Sequence, residues 1–195
     1  MTLAHWARWL LWANAAASAA SILFAWRRGF DPFSIGDSET LYGLAASALL
    51  FATAILVLIW LYRANAGARA LGAEDMMVSP GWAVAWFFVP LANLVMPFIA
   101  MRELWKASAN PRDWQLASAP LAIPLWWAFW LASGLAGGVA VVLALQPEMD
   151  ALAAADAAVA LSELLSIPAA LLLAWIVGGV EKLQAGPEHL RDRFA

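Results

Sequence analysis

The sequence predicts an all-α, polytopic helical membrane protein with four transmembrane helices and a fifth, proline-broken hydrophobic segment that is re-entrant or kinked. The first observation is composition, since 64% of the 195 residues are hydrophobic and only 13% are charged. That leaves too few polar side chains to cover a soluble globule of this size. The second is length, because four apolar runs reach the roughly 20 residues that a helix needs to cross about 30 Å of hydrocarbon.

The four apolar runs carry further marks of membrane helices. Tryptophans lie near both ends of the first run, at Trp6 and Trp26, where indoles favour the interface. The third run keeps Pro124 in its first turn, where a missing N–H is tolerated, and the fourth is irregular because it contains Pro168. The expected helices are residues 6–26, 41–62, 121–145 and 157–180, within one membrane domain over residues 1–195.

The first run has a second interpretation. Arg8 is positive, and the stretch ANAAASAAS that follows is rich in small residues, as in a signal peptide that is cleaved. The apolar character continues to Trp26, however, with no polar residues to release the chain after the small ones. We therefore favour a helix that is retained in the protein.

The fifth hydrophobic segment, GWAVAWFFVPLANLVMPF at residues 81–98, contains Pro90, Asn93 and Pro97. Each proline lacks the N–H that a helix donates to the carbonyl four residues earlier, and an unpaired backbone group in lipid costs several kcal/mol. Protein, water or headgroups must therefore shelter this segment. Two structures meet that requirement: a re-entrant or interfacial element whose ends lie on one side of the membrane, and a kinked helix that crosses it fully.

Positive charge separates these two alternatives only slightly. A re-entrant segment puts both termini in the cytoplasm, with nine of the eleven basic residues inside and only Arg27 and Arg28 outside. A full crossing leaves eight inside and three outside, so the positive-inside rule favours the re-entrant alternative. The connection over residues 146–156 has three acids and no base and is expected to be an outside loop in either case.

A run of short motifs lies between residues 60 and 108. WLYRANAGARALGA is followed by SPGWAVAWFFVPLANLVMPFIAMRELWKAS, and this pattern resembles a bacterial membrane family known as domain of unknown function 4328. That family has a Tyr-Arg-Ala turn with a downstream Leu-Gly, a Ser-Pro-Gly-Trp start, a Phe-x-x-Pro-x-x-Asn-x-x-x-Pro core and a Met-Arg-Glu-Leu-Trp end. The matching positions are Tyr62, Arg63, Leu71, Gly72, Ser79, Pro80, Gly81, Trp82, Pro90, Asn93, Pro97, Arg102, Glu103 and Trp105. The resemblance implies a bacterial membrane protein and assigns no activity; we expect it to span the cytoplasmic (inner) membrane several times.

An amphipathic helix is predicted to follow the broken segment, at about residues 98–109. Apolar and small side chains recur there at three- and four-residue spacings, whereas Arg102, Glu103 and Lys106 fall on the remaining arc. Basic side chains near anionic lipid each gain about 1 kcal/mol. The expected partners are thus the bilayer, with anionic headgroups on the cytoplasmic face, and either another membrane protein or a second copy of the chain.

Several residues are candidates for a site, each with a structural alternative. The Asn93 amide is expected to cap carbonyls that the prolines release, or else to contact a ligand. Glu163 is a carboxylate well inside an apolar run, so it is a candidate for ion or proton coupling unless it reaches the interface. Arg63 and Glu103 are expected to form a structural salt bridge. Small residues at GxxxG spacing in the third helix are expected to pack within the bundle, or in a homodimer.

No catalytic constellation is visible. His5 and His189 lack the spacing of paired ligands, so neither a metal nor a cofactor is predicted. Cysteine is absent, and neither a Gly-rich phosphate loop nor a GxSxG turn occurs. We expect no enzyme and no nucleic-acid partner. The favoured function is a non-enzymatic scaffold or regulatory partner of another membrane component; the alternatives are a binder or carrier of a lipid or small hydrophobic ligand, and a transporter or channel subunit.

Overall fold

Six α-helices make up most of the computed structural model, which describes residues 2–29 and 36–186. In chain order they are α1 (Leu3–Arg27), α2 (Asp37–Ala70), α3 (Pro80–Ala85), α4 (Met96–Ala109), α5 (Ala122–Ala144) and α6 (Met149–Ala185). Single turns of 3₁₀ helix lie at Trp86–Phe88, Ala92–Leu94 and Trp114–Leu116. The described residues contain no strand, so the all-α prediction is confirmed.

Four of these helices, α1, α2, α5 and α6, are long and apolar enough to cross a membrane. In the most apolar 18-residue window of each, no more than 22% of the residues are buried. A soluble monomer rarely exposes apolar surface on that scale, whereas lipid chains cover it readily. The predicted membrane fold with four long apolar helices is confirmed.

The second helix is longer than predicted. It continues past Tyr62 and Arg63 to Ala70, so the turn expected at Tyr62 is wrong, because this stretch is made largely of alanine and arginine, which are good helix formers. The chain turns instead at Gly72, whose φ of 102° suits a residue without a Cβ. The N–H groups of Gly72 and Ala73 donate to carbonyls of the last helical turn, which is the Schellman arrangement.

The last helix also begins earlier than predicted. Residues 146–156 were expected to form a loop, but α6 starts at Met149 and takes in most of that stretch. Alanine dominates the sequence there, and Asp150 in the first turn complements the helix dipole. The helix continues through Pro168 to Ala185. The outside location of this stretch stays a prediction.

The described residues form two compact units. One comprises residues 2–8, 55–124 and 174–186 and contains α3, α4 and their connections; we call it the connector unit. The other comprises residues 9–29, 36–54 and 125–173 and contains parts of α1, α2, α5 and α6; we call it the helical unit. The expectation of one domain over residues 1–195 stays a prediction.

The most deeply buried side chains all belong to the connector unit. Its ten largest fully buried side chains are Leu61, Asn65, Val78, Pro97, Met101, Leu104, Ile123, Ile176, Val177 and Val180. They come from α2, the connection before α3, α4, the start of α5 and the end of α6. This core fixes the position of α4 and of the segment that precedes it.

The predicted break in the fifth hydrophobic segment is confirmed. Helix α3 stops after six residues, and Leu91 adopts φ 66° and ψ −46°. The Ala92 N–H donates to the Pro90 carbonyl at 2.8 Å, which closes a γ-turn around Leu91. A γ-turn with positive φ is strained in a residue with a Cβ, at a cost of about 1–3 kcal/mol. The surrounding structure therefore holds this turn.

The second proline does not break the segment as the sequence suggested. Pro97 lies in the first turn of α4, which begins at Met96. Its missing N–H is one that a helix start leaves unpaired in any case, and its fixed φ favours that position. The break is thus centred on Pro90 and Leu91, while Pro97 starts the next helix.

Large apolar side chains project from the broken segment. Phe88 is 71% exposed and Leu91 82% exposed, and the side chains of Leu94 and Val95 are also exposed. We call these four residues the apolar tip. The tip lies between two helices, α3 and α4, that belong to the same unit.

The GxxxG pair of α5 does not pack within the bundle as predicted. A Cβ added at Gly134 or Gly138 would meet nothing within 4 Å. The glycine in close contact is Gly137, where a Cβ would lie 3.3 Å from the Ser162 hydroxyl. Helix packing in the helical unit therefore uses the residue between the pair, and the homodimer alternative stays a prediction.

Candidate functional site

The connection between α2 and α3 is held by a buried carboxylate. Glu103 of α4 is 4% exposed, and its two oxygens accept the N–H groups of Met77, at 2.5 Å, and Val78, at 3.0 Å. A buried charge is tolerated when hydrogen bonds replace its water shell, and bonds to a charged acceptor are the stronger kind. The side chain of Glu103 thus fastens the connection to α4.

Two side chains of α2 hold the same connection by its carbonyl groups. The Arg69 guanidinium donates to the carbonyls of Met76, at 2.9 Å, and Val78, at 3.1 Å. Asn65 is fully buried; its amide nitrogen donates to the Val78 carbonyl, and its oxygen accepts from Arg69. We call Asn65, Arg69 and Glu103 the loop clamp. These three side chains pair the backbone N–H and C=O groups of a connection that forms no helix or sheet and so cannot pair them itself.

The expected salt bridge between Arg63 and Glu103 is wrong. Arg63 lies on an exposed face of α2, whereas both oxygens of Glu103 are bonded to backbone amides. Glu103 is also predicted to lie on the polar arc of the amphipathic helix, but it is buried beside Leu104. Asn65 was missed altogether. The signal available for Asn65 and Arg69 was their four-residue spacing at the end of an apolar helix.

The connection between α4 and α5, residues 110–121, is hydrogen-bonded to the connection between α2 and α3. The Trp114 indole N–H donates to the Glu74 carbonyl at 2.7 Å. Lys106 of α4 donates to the Gln115 carbonyl at 2.8 Å. The stretches that flank α3, the apolar tip and α4 therefore lie against each other.

The end of α6 is joined to the same core by a glutamine. The Gln184 amide nitrogen donates to the Ala64 carbonyl, at 2.8 Å, and to the Ser108 hydroxyl, at 2.9 Å. Its oxygen lies 3.1 Å from where a Cβ on Gly67 would stand. The small residue at position 67 thus leaves room for the amide.

Trp105 serves packing. Its indole stacks on Trp175 of α6, with 5.3 Å between the ring centroids and 12° between the planes. A Cβ on Gly179 would come within 2.4 Å of the Trp105 ring. Only glycine fits beneath the indole, so α4 and α6 approach closely at this point.

The remaining motif residues cap α3 or lie on the surface. Ser79 caps α3 by accepting the Trp82 N–H, and Pro80 occupies the first turn. The rings of Trp82 and Trp86 lie 4.5 Å apart. The chain is exposed at Gly81, as are the side chains of Tyr62 and Arg102.

Asn93 does not form the cap that the sequence suggested. Its side-chain oxygen is buried and has no hydrogen-bond partner among residues 2–29 and 36–186. Within the break, the carbonyls of Val89, Pro90 and Leu91 accept the backbone N–H groups of Asn93, Ala92 and Leu94. A contact between Asn93 and a ligand stays a prediction.

Glu163 lies within α6, in the helical unit. Its backbone carbonyl accepts the Ser166 hydroxyl at 2.8 Å. No ion pair to its carboxylate occurs in the part of the chain that the structure describes. Its role in ion or proton coupling stays a prediction.

Residues 2–29 and 36–186 contain no group of three or more His, Asp or Glu side chains able to hold a metal ion. His189 lies outside these residues. A family model described as a domain of unknown function (DUF4328) matches residues 37–182. No curated protein and no solved structure matches the chain.

Proposed function

Because the chain belongs to the domain of unknown function 4328 family, whose description assigns no activity, we propose its role from its own geometry. It is a non-enzymatic, multi-pass integral membrane protein that acts as a scaffold or regulatory partner of another membrane component. The observation that carries this proposal is the loop clamp. A catalytic or transporting carboxylate must reach a substrate, whereas both oxygens of Glu103 are occupied by the chain's own amides.

The loop clamp fastens the connection before α3 to α2 and to α4. The broken segment between α3 and α4 is therefore held at both of its ends. The apolar tip is exposed in that held segment, with Leu91 in a strained turn. A preorganised surface with large apolar side chains loses little conformational entropy when a partner binds. The apolar tip is therefore the proposed contact surface for a membrane protein partner.

The broken segment is re-entrant in this proposal. A full crossing separates its flanking stretches by about 30 Å of hydrocarbon, but the Trp114 indole donates to the Glu74 carbonyl at 2.7 Å. Flanking stretches in direct contact support a segment that enters and leaves on one side. With four further crossings, both termini are then cytoplasmic in a bacterial inner membrane, in keeping with the positive-inside rule.

Cysteine labelling tests the topology, since the native chain has no cysteine. Glu74 and Asn110 are exposed and flank the broken segment. We expect Glu74→Cys and Asn110→Cys to react with an impermeant maleimide from the same face of sealed vesicles. Labelling from opposite faces would show a full crossing and end the re-entrant proposal.

Affinity purification from the native membrane tests the scaffold role. We expect one co-purified membrane protein with the wild-type chain, and its loss when Phe88 and Leu94 are both changed to Ser. The matched control is Leu116→Ser, which removes a side chain that is 86% exposed and lies outside the apolar tip. Recovery of the same protein with both variants, or of none with the wild-type chain, would contradict the proposal.

A further inference from the structure

A groove of about 330 Å³ lies in the connector unit between α4 and the start of α5. One wall consists of Phe98 and Arg102, and the other of five residues between positions 119 and 124. Phe98 and Arg102 are four residues apart on α4 and so lie on the same face. Ile123 is fully buried and belongs to the floor, while Leu121 is 71% exposed at the edge.

The groove combines apolar walls with one cation. Arg102 is the single charged residue among the seven that line it. Its side chain is exposed, and no ion pair joins it to another residue in the described ranges 2–29 and 36–186. The neighbouring acid on α4, Glu103, directs its carboxylate to the amides of Met77 and Val78 and forms no ion pair with Arg102. The cation therefore remains available to an occupant.

We propose that this groove binds one anionic phospholipid, with its phosphate on the Arg102 guanidinium and the first part of one acyl chain along Phe98, Leu121 and Pro124. A guanidinium matches a phosphate with paired hydrogen bonds. The volume is at the lower end of the range of about 300–1,000 Å³ for ligand pockets, so the groove takes one headgroup and a short length of chain. This site goes beyond the scaffold role and does not depend on it.

The charge of Arg102 and the apolar walls of the groove together favour an anionic phospholipid. A soluble anion would meet a single arginine among six apolar residues, whereas an anionic amphiphile uses both features. A basic residue near anionic lipid gains about 1 kcal/mol, which corresponds to about a fivefold gain in affinity. That is the preference for anionic over zwitterionic lipid that Arg102 is expected to confer.

Native mass spectrometry of the full chain in mild detergent tests the site. The probes are phosphatidylglycerol and phosphatidylcholine with identical acyl chains. We expect the wild-type protein to bind one phosphatidylglycerol about fivefold more tightly than phosphatidylcholine, and Arg102→Gln to remove this preference. The matched control is Arg112→Gln, which deletes the same charge from an exposed position outside the groove.

A second variant tests the groove without changing charge. Ala119→Phe places a ring in the wall opposite α4 and should weaken phosphatidylglycerol binding about as much as Arg102→Gln does. Tryptophan fluorescence on heating confirms that each variant folds. Inorganic phosphate in large excess should leave the bound lipid in place.

Four results would overturn the proposal. The wild-type protein could bind both lipids equally, which means that the site has no preference for an anionic headgroup. Arg102→Gln and Arg112→Gln could weaken binding equally, which means that the lipid is attracted by the overall positive charge and not by a contact with Arg102. Ala119→Phe could bind as the wild type does, which places the lipid elsewhere. Phosphate could displace the lipid completely, which indicates a site for a soluble anion. None of these results bears on partner recovery through the apolar tip.

Discussion

The connector unit and the helical unit use polar side chains in different ways. In the connector unit they satisfy backbone groups of irregular chain, as Glu103 does for two N–H groups and Arg69 for two carbonyls. In the helical unit the helices pair their own backbone groups, and polar side chains such as Ser133 and Ser162 join neighbouring helices. Irregular backbone that is buried in the protein thus requires dedicated side chains, because its N–H and C=O groups are shielded from water and have no helical partner.

The helical unit shows the second use clearly. The hydroxyls of Ser133 and Ser162 each donate to the other residue's carbonyl, at 3.0 and 2.9 Å. Arg28 forms ion pairs with Glu39, at 2.8 Å, and with Asp156, at 3.5 Å. Such contacts supplement helices that are already complete. We therefore expect polar substitutions to cost much more in the connector unit.

The largest expected effect is that of Glu103→Ala. It leaves two amides of the connection without their acceptors, and hydrogen bonds to a charged group are worth about 1.5–3 kcal/mol each. We expect a loss of about 3–6 kcal/mol in the free energy of unfolding, measured by SDS titration in detergent micelles. Hydrogen exchange at Met77 and Val78 should rise. The control, Asp113→Ala, removes an exposed acid and should change stability by less than about 0.5 kcal/mol; an equal effect would contradict the clamp.

A pair of glycine substitutions compares packing in the two units. Gly179→Ala puts a Cβ 2.4 Å from the Trp105 ring, and overpacking of this kind costs about 1–3 kcal/mol. Gly138→Ala meets nothing within 4 Å and should gain up to about 1 kcal/mol from helix propensity. The same titration measures both. If Gly138→Ala instead destabilises the protein and shifts it from dimer to monomer on gel filtration, the homodimer alternative is correct.

Leu91→Gly tests the strained turn of the broken segment. Glycine adopts positive φ without the clash of a Cβ, so this substitution should stabilise the protein by about 1 kcal/mol. Leu116→Gly, at another exposed position, should destabilise it by about 0.5–1 kcal/mol. Thermal unfolding followed by tryptophan fluorescence reports both changes. Equal destabilisation by the two substitutions would mean that the turn is not strained.

Ser133→Ala has the smallest expected effect. An interhelical hydrogen bond in a membrane protein contributes about 0.6 kcal/mol on average, and the Ser162 hydroxyl keeps its bond to the Ser133 carbonyl. Ser47→Ala removes only a bond to a carbonyl of its own helix and should have almost no effect. A loss above about 2 kcal/mol for Ser133→Ala would remove the distinction between the two units.

Composition and local pattern predicted the outline of the fold. The four long helices follow from apolar runs of membrane length, since lipid accepts only backbone that is hydrogen-bonded within its own segment. The break follows from Pro90, because proline has no N–H to donate. The ends of helices were predicted less well: α2 continues eight residues beyond Tyr62, and α6 begins at Met149. At the end of α2 and the start of α6, the helix propensity of the residues continues the helix beyond the apolar run.

By itself, the sequence determined the class of fold, the family and the position of the break, because these depend on solvent preference and on properties of single residues. Tertiary structure alone decided what Glu103, Arg69 and Trp105 do. The partners of the first two are backbone amides and carbonyls, which every position supplies and no side-chain pattern marks. Trp105 stacks on Trp175 and packs against Gly179, and these contacts exist only once two helices have packed together.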